Sequence, residues 1–256
     1  MATTLRCLTI FAAIVLIALF LTPTSHAASQ QASAADIALL NAANHDRAAS
    51  GLPALQWDPA LAAAAYQHAL RMAQMNTISH QFPGEAPMQE RARQAGARFS
   101  LVAENVAEGP SVVGLHTQWM NSPPHRANLL DPELNSIGIA VVQSGNVFFA
   151  VQDFSAAVAL LSRDAQEQQV ASQLSARGLQ AVSASSDARK TCELDRGWAG
   201  DRPTTVLRYE TADIKRLPEE LEPKVTSGKY RAAAVGACNA GGSGSFSRFR
   251  IAILLY

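Results

Sequence analysis

The sequence predicts an α+β fold, and two observations carry that reading. Segments of helical period fill the first half of the chain, and strictly alternating segments joined by a turn follow them. The composition is that of a globular protein, with 48% of the 256 residues hydrophobic and 16% charged. Basic and acidic residues both number 21. A balanced charge gives no reason to expect a polyanionic partner, so nucleic acid is excluded as the expected ligand.

The elements follow in order. Arg6 precedes an apolar run over residues 8–21, which Thr22-Pro23-Thr24 breaks before Ser25-His26-Ala27. This is the layout of a secretory signal peptide, residues 1–27, cleaved after Ala27. The run is short for a membrane-spanning helix, so membrane contact is expected only through this cleaved segment. The mature chain is then secreted or periplasmic and expected to be a monomer. Residues 28–34 read as a flexible leader. Ile37, Leu40 and Ala43 recur at helical spacing, with Asp36 as the expected N-cap and Gly51 as the stop. Asp58-Pro59 starts a second helix, with Asp as N-cap and Pro at the first helical position. Leu61, Ala65, Ala69, Met72 and Ala73 give that helix one apolar face.

Residues 85–95 form a weaker helical stretch ending at Gly96, and residues 111–120 another, stopped by Pro123-Pro124. Ile137, Ile139 and Val141 alternate, as do Val147, Phe149 and Val151, with Ser144-Gly145-Asn146 between them. Together they read as a hairpin. Residues 160–190 are rich in Gln, Ser and Ala and read as a helix to about Ser175 followed by linker. Beyond them, residues 206–209, 230–235 and 249–254 read as strands, and residues 241–245 as a Gly/Ser loop. Of the three cysteines, Cys7 leaves with the signal. Cys192 and Cys238 remain as an even pair in a chain that leaves the reducing cytoplasm, which implies one disulfide.

Several blocks in fixed order add a resemblance. They are Leu40-Asn41 with His45-Asp46-Arg47, and Gly51-Leu52-Pro53 through Trp57-Asp58-Pro59. Ala65 to Ala73 and Ser79-His80 follow, then Ala103-Glu104-Asn105-Val106-Ala107. Trp119-Met120-Asn121-Ser122-Pro123-Pro124-His125-Arg126-Ala127-Asn128 comes next, and Ile137-Gly138-Ile139-Ala140 with Val151-Gln152-Asp153-Phe154 closes the series. Over about 120 residues the chain resembles the bacterial branch of the CAP (SCP) superfamily, named for cysteine-rich secretory proteins, antigen 5 and plant pathogenesis-related proteins. The resemblance implies a three-layer α-β-α sandwich for residues 35–156. A helix or linker over 157–190 and a small β-rich C-terminal module over 191–256 complete the expected organisation.

The resemblance also implies a cleft centred on two histidines and two acids. His80 and His125 match the histidines, and Glu104 matches one acid. The second acid falls in other members just after the tryptophan that matches Trp119. Here that stretch is Met120-Asn121-Ser122, so at most three of the four groups are expected, with Ser122 in the fourth place. Two imidazoles and one carboxylate suit zinc or another divalent ion. Without metal, the same three groups can pin their loops to the core. No H-E-x-x-H helix and no nucleophile–base pair is visible, so no catalytic residue is assigned. Asn105, Arg126 and Asn128 are expected to brace the cleft, Glu85 and Glu90 to be solvated charges at its rim, and His45 and His68 to be packing or capping residues.

Three functions are therefore open. One is a non-catalytic extracytoplasmic binding domain for a small ligand, lipid or peptide. Another is a metal-assisted envelope hydrolase or peptidase using His80, His125 and Glu104. In the third, the C-terminal module recognises a protein partner.

Overall fold

The computed structural model describes residues 32–182, 186–240 and 246–256. The expected signal peptide, most of the leader and the Gly/Ser loop lie outside the described residues.

The first unit is built on a four-stranded sheet of order β1-β3-β4-β2. Its strands are β1 (Gln56–Trp57), β2 (Phe99–Gly109), β3 (Ser136–Ser144) and β4 (Val147–Ala157). The expected β3–β4 hairpin is present, and Gly145 adopts the positive φ that its turn requires. β2, β3 and β4 are antiparallel, while the short β1 runs parallel to β3. The period-2 alternation now has a physical meaning. Ile137, Ile139, Ala150 and Phe154 face one layer of helices, and Ala140, Phe149 and Val151 face the other.

One layer holds α1 (Ala34–Ala49), α4 (Val112–Asn121) and α5 (Pro123–Leu129), which bury Leu39, Ala43, Leu115, Trp119 and Leu129. The other holds α2 (Pro59–Met75), whose Ala65, Ala69 and Met72 stripe packs on Val106, Phe149 and Val151. Beside it lies α3 (Met88–Gln94). This is the expected three-layer sandwich. Asp58 caps α2 as expected, accepting from the backbone N–H groups of Ala60 and Leu61. The α1 cap differs from expectation. Ser33 is the N-cap, and Asp36 sits three residues on and closes a capping box. The second oxygen of Asp36 accepts from the Val141 N–H, pinning α1 to β3. The Pro123-Pro124 pair does end α4, but it also opens α5, because proline is well accommodated in a first helical turn.

Arg47 is 1% exposed and joins distant segments. Its guanidinium donates to the carbonyls of Pro53, Leu129, Asp131 and Leu134 at 2.8–3.0 Å. Burial lowers its pKa against the opposing charge of Asp131, and among the described residues no carboxylate is hydrogen-bonded to it.

The second unit differs from the expected boundaries. Its sheet has the order β5-β7-β8-β6, from β5 (Gln180–Val182), β6 (Thr205–Thr211), β7 (Ala232–Cys238) and β8 (Phe249–Leu255). α6 (Arg163–Ser175) buries Val170 and Leu174 against Val235, Ile251 and Ile253 on one face. α7 (Ser186–Glu193) covers the other face, with Ala188 on Ala234 and Leu254. A short turn of helix, α8 (Glu222–Val225), completes it. The helix expected up to about Ser175 is α6, but the stretch beyond it is not a linker, since it supplies Leu179 to the core and β5 to the sheet. Val158, Val170, Leu174 and Leu179 belong to the second core, which a segment starting at 191 would lack. The Cys192–Cys238 disulfide is formed and ties α7 to β7.

In both units a strand glycine lets a helix rest on backbone. A Cβ at Gly138 would lie 2.0 Å from the Ala62 nitrogen and 2.2 Å from the Leu61 carbonyl carbon. A Cβ at Gly236 would lie 2.1 Å from the Ala188 carbonyl carbon. Gly138→Ala is expected to destabilise the protein by about 3 kcal/mol, because backbone and not a flexible side-chain tip must move. Urea denaturation of the variant beside wild type measures this.

Candidate functional site

The site straddles β2, the edge strand of the first sheet. Successive side chains of β2 point to opposite faces, so Glu104 and Asn105 serve different halves of it.

On the α2 side, the chain leaves α2 through Asn76, in the left-handed conformation at φ 49°, and returns to the sheet at His80. His80 Nδ1 lies 2.8 Å from Glu104 Oε1. The other oxygen of Glu104 accepts from Arg91 Nη2, on α3. Arg91 Nη1 also donates to the carbonyls of His80 and Ala86, at 3.2 Å each. One buried guanidinium thus holds both the carboxylate and the loop that delivers the histidine. The Glu104 side chain is 5% exposed and that of His80 is 62% exposed.

Beneath this pair lies a residue that the sequence reading did not single out. Asp153 on β4 is directly opposite Glu104 in the register and fully buried. Among the described residues no N–H or hydroxyl group donates to either of its oxygens. Its partner is the Glu104 carboxyl. Burial first, and then the negative charge of Glu104, raise the Asp153 carboxyl well above the usual carboxylate range, with Arg91 opposing. The shift favours a proton on Asp153, where it faces the Glu104 carboxylate across the strand pair. Asp153 is thus a buried acid under the site and not a fourth group lining its cleft. It comes from β4, not from the stretch after Trp119.

On the α5 side, Asn105 Nδ2 donates to the His125 carbonyl at 3.1 Å and to Gln152 Oε1 at 3.3 Å. Asn128 Nδ2 donates to Asn105 Oδ1 at 2.9 Å and to the Glu104 carbonyl at 3.3 Å. Asn105 and Asn128 are braces, as expected. The Arg126 side chain is exposed and makes no such contact among the described residues. It lines a cavity of about 370 Å³ with Met120, Pro123 and Leu130. Ser122 contributes backbone, ending α4 and starting α5, and its hydroxyl has no hydrogen bond among the described residues.

His125 is half-buried and close enough to His80 for their charges to interact. The two imidazoles are shifted oppositely. The hydrogen bond to Glu104 raises the pKa of His80 against the opposing effects of burial and Arg91. Burial and His80 lower that of His125. His80 therefore holds its proton to higher pH than His125 does.

Two expectations change, that of a solvated Glu85 and that of a packing or capping His45. Glu85 is not a solvated charge, because it accepts from His68 Nδ1 at 2.8 Å and from the Phe82 N–H at 2.9 Å. His68 is fully buried, and its Nε2 meets the Ser79 carbonyl at 2.6 Å, fixing the residue just before His80. Glu90 pairs with Arg93 on the exposed face of α3. His45 is exposed beside Asp46, and His116 meets the same carboxylate at 2.8 Å.

A family-wide sequence model, CAP: cysteine-rich secretory protein family, matches residues 40–154. The first unit is a CAP domain. The uncharacterized protein YkwD of Bacillus subtilis is 30% identical to the chain over 128 residues, half of each protein. An uncharacterized protein of Borreliella burgdorferi is 31% identical over 84 residues, 33% of this chain and 54% of that one. The chain thus spans about half the length of these curated relatives. Among solved structures, an outer surface protein of Borrelia burgdorferi superposes on 48% of this chain and 92% of its own, with 22% identity and a TM-score of 0.45. An SCP-domain extracellular protein of Bacillus anthracis superposes on 47% and 40%, with 29% identity and a TM-score of 0.44.

The CAP domain fits a zinc centre only in part. His80 Nε2 and the His125 ring are free of hydrogen bonds among the described residues, whereas both oxygens of Glu104 are engaged. Among those residues no group of three or more His, Cys, Asp or Glu side chains is disposed around one point.

Two pH effects follow. Asp153 has a raised folded-state pKa, so its contribution to stability is complete below about pH 4 and declines as pH rises through the folded value. Asp153→Asn removes that decline. The variant is expected to gain on wild type as pH rises from 4 to 7, read from urea midpoints. His80 also has a raised pKa, so its pairing with Glu104 stabilises the fold below about pH 6.5 and loses effect as pH rises past the folded value. His80→Gln is expected to cost less than about 1 kcal/mol, as for exposed ion pairs, and the cost is expected at pH 5.5 and not at pH 9.

Proposed function

We propose that this protein is an exported, non-catalytic binding domain whose recognition centre is His80 and His125. The observation that carries the reading is the saturation of Glu104. One oxygen is bound by His80 and the other by Arg91, with Asp153 below. A general base or nucleophilic carboxylate needs a free oxygen facing its substrate, and this one faces its own scaffold. Glu104 instead sets the direction of His80, whose Nδ1 it occupies, so that Nε2 points outward. Export rests on the signal-like residues 1–27 and the disulfide. No helix among the described residues is long and apolar enough to cross a membrane.

The outward imidazole pair suits a ligand with hydrogen-bonding oxygens, such as a peptide or a lipid head group. A second reading is reversible capture of a divalent ion by the same two imidazoles. It is favoured by the carboxylate–histidine pairing, since a carboxylate on Nδ1 raises the basicity of Nε2 as a metal ligand. In that reading Glu104 is an outer partner, and two donors give weak binding.

Zinc titration calorimetry on the mature chain separates the two. Saturable binding that is lost in His80→Ala/His125→Ala and weakened in Glu104→Gln supports metal capture. If wild type takes up no zinc, the binding-domain reading stands on mass spectrometry of molecules that copurify with wild type. Identical copurifying molecules on the double variant, or none on wild type, would overturn it.

A further inference from the structure

Seven arginines among the described residues are buried or half-buried. Six have at least one guanidinium nitrogen matched, although the Arg91 Nε is itself unpaired among the described residues. Arg47 and Arg208 donate to backbone carbonyls. Arg91 pairs with Glu104, Arg177 with Glu222, Arg189 with Asp164 and Glu167, and Arg250 with Asp195. The seventh is Arg98. It has no hydrogen bond or ion pair from its side chain among the described residues, and its Nε is buried. A half-buried guanidinium with no acceptor is costly unless something supplies one.

Arg98 stands where the two units meet. Its own carbonyl accepts from the Val158 N–H at 2.8 Å, and the next carbonyl, of Phe99, accepts from the Ser247 N–H at 2.7 Å. The Phe99 ring meets the edge of Phe246 at a centroid distance of 5.7 Å. These contacts fix the walls of a cavity of about 570 Å³ at the junction, a size suited to a small molecule. Arg98 and Arg248 line it with a single carboxylate, Glu210, and with Leu160, Leu161 and Phe246. Arg248 likewise has no side-chain partner among the described residues. Phe246 and Leu160 are 50% and 82% exposed, so an apolar surface remains open beside the two guanidinium groups.

We propose that this junction binds a small carboxylic acid with an apolar body. Arg98 and Arg248 take the carboxylate, and Leu160, Leu161 and Phe246 take the body. Two guanidinium groups against one carboxylate leave one net positive charge, which matches a singly charged head better than a phosphate. The fork of a guanidinium fits the two oxygens of a carboxylate. The site is separate from the His80/His125 centre and does not depend on its function.

The test is a titration of the ¹⁵N-labelled mature chain with benzoate, followed by NMR at the Phe246 and Ser247 amides, with phenyl phosphate as comparison. Saturable benzoate binding is expected, at least tenfold weaker in Arg98→Gln and in Arg248→Gln and unchanged in Arg231→Gln, an exposed arginine away from the cavity. Arg248 is exposed, so its variant keeps the test valid should Arg98→Gln fail to fold. No benzoate binding at millimolar concentration, or equal binding in the Arg248 variant, would overturn the proposal. Phenyl phosphate binding tenfold tighter than benzoate would overturn the carboxylate assignment.

Discussion

The first unit depends on one buried cation. Arg47 collects four carbonyls from three separate stretches: the turn after α1, the end of α5 and the loop leading into β3. Those stretches have little regular structure, and their polar backbone would be costly to bury unmatched. A guanidinium supplies five donors in a fixed plane and suits the task better than an ammonium. Because α5 is held at its C-terminal end, its N-terminal end is placed as well, and that end carries His125. The architecture of the site thus begins about 80 residues upstream of the histidine it positions.

The site is organised around a shared strand. β2 turns Glu104 towards α3 and the His80 loop, and turns Asn105 towards α5. Two layers that do not touch each other are thereby brought to one edge of the sheet. The electrostatics follow from burial. With Asp153 opposite Glu104 and no solvent beside it, the pair settles with one proton between them, and Arg91 balances the remaining charge. This arrangement favours a fixed geometry over a labile one, since each member has a partner and none needs to move to be satisfied.

Much of this was legible in the sequence, and the exceptions have physical causes. α2 was visible because Asp58-Pro59 marks its start and alanines mark its face. The β3–β4 hairpin was visible because alternation and turn residues agree. β2 was not, because it mixes buried apolar and functional polar side chains on the same face, so Val102, Glu104 and Val106 do not form an apolar row. α7 was hidden by its composition, with only Ala188, Thr191 and Cys192 buried. His80, Glu104 and His125 came from the family resemblance, which carried no information on their partners. Arg91 looked like any charge on a short helix. Asp153 did leave a signal: it is an acid in the interior phase of a strand where Val151 and Phe149 are core residues, a position that an unpaired charge does not occupy.

The bare contact at Gly138 bears on how well the site is placed. Where helices meet through side chains, rotamer changes let them shift against each other by a fraction of a turn. α2 instead meets β3 through main chain at Leu61 and Ala62, so there is nothing in between to repack. The helix acts as a fixed datum relative to the sheet. The loop to His80 is measured from that datum, leaving α2 at Asn76 and fastened by His68 at Ser79, one residue before the histidine. A histidine on a surface loop would ordinarily sample several positions. Here the backbone is tied one residue before the histidine and the ring is held by Glu104, so a side chain open to solvent takes its starting point from the helix.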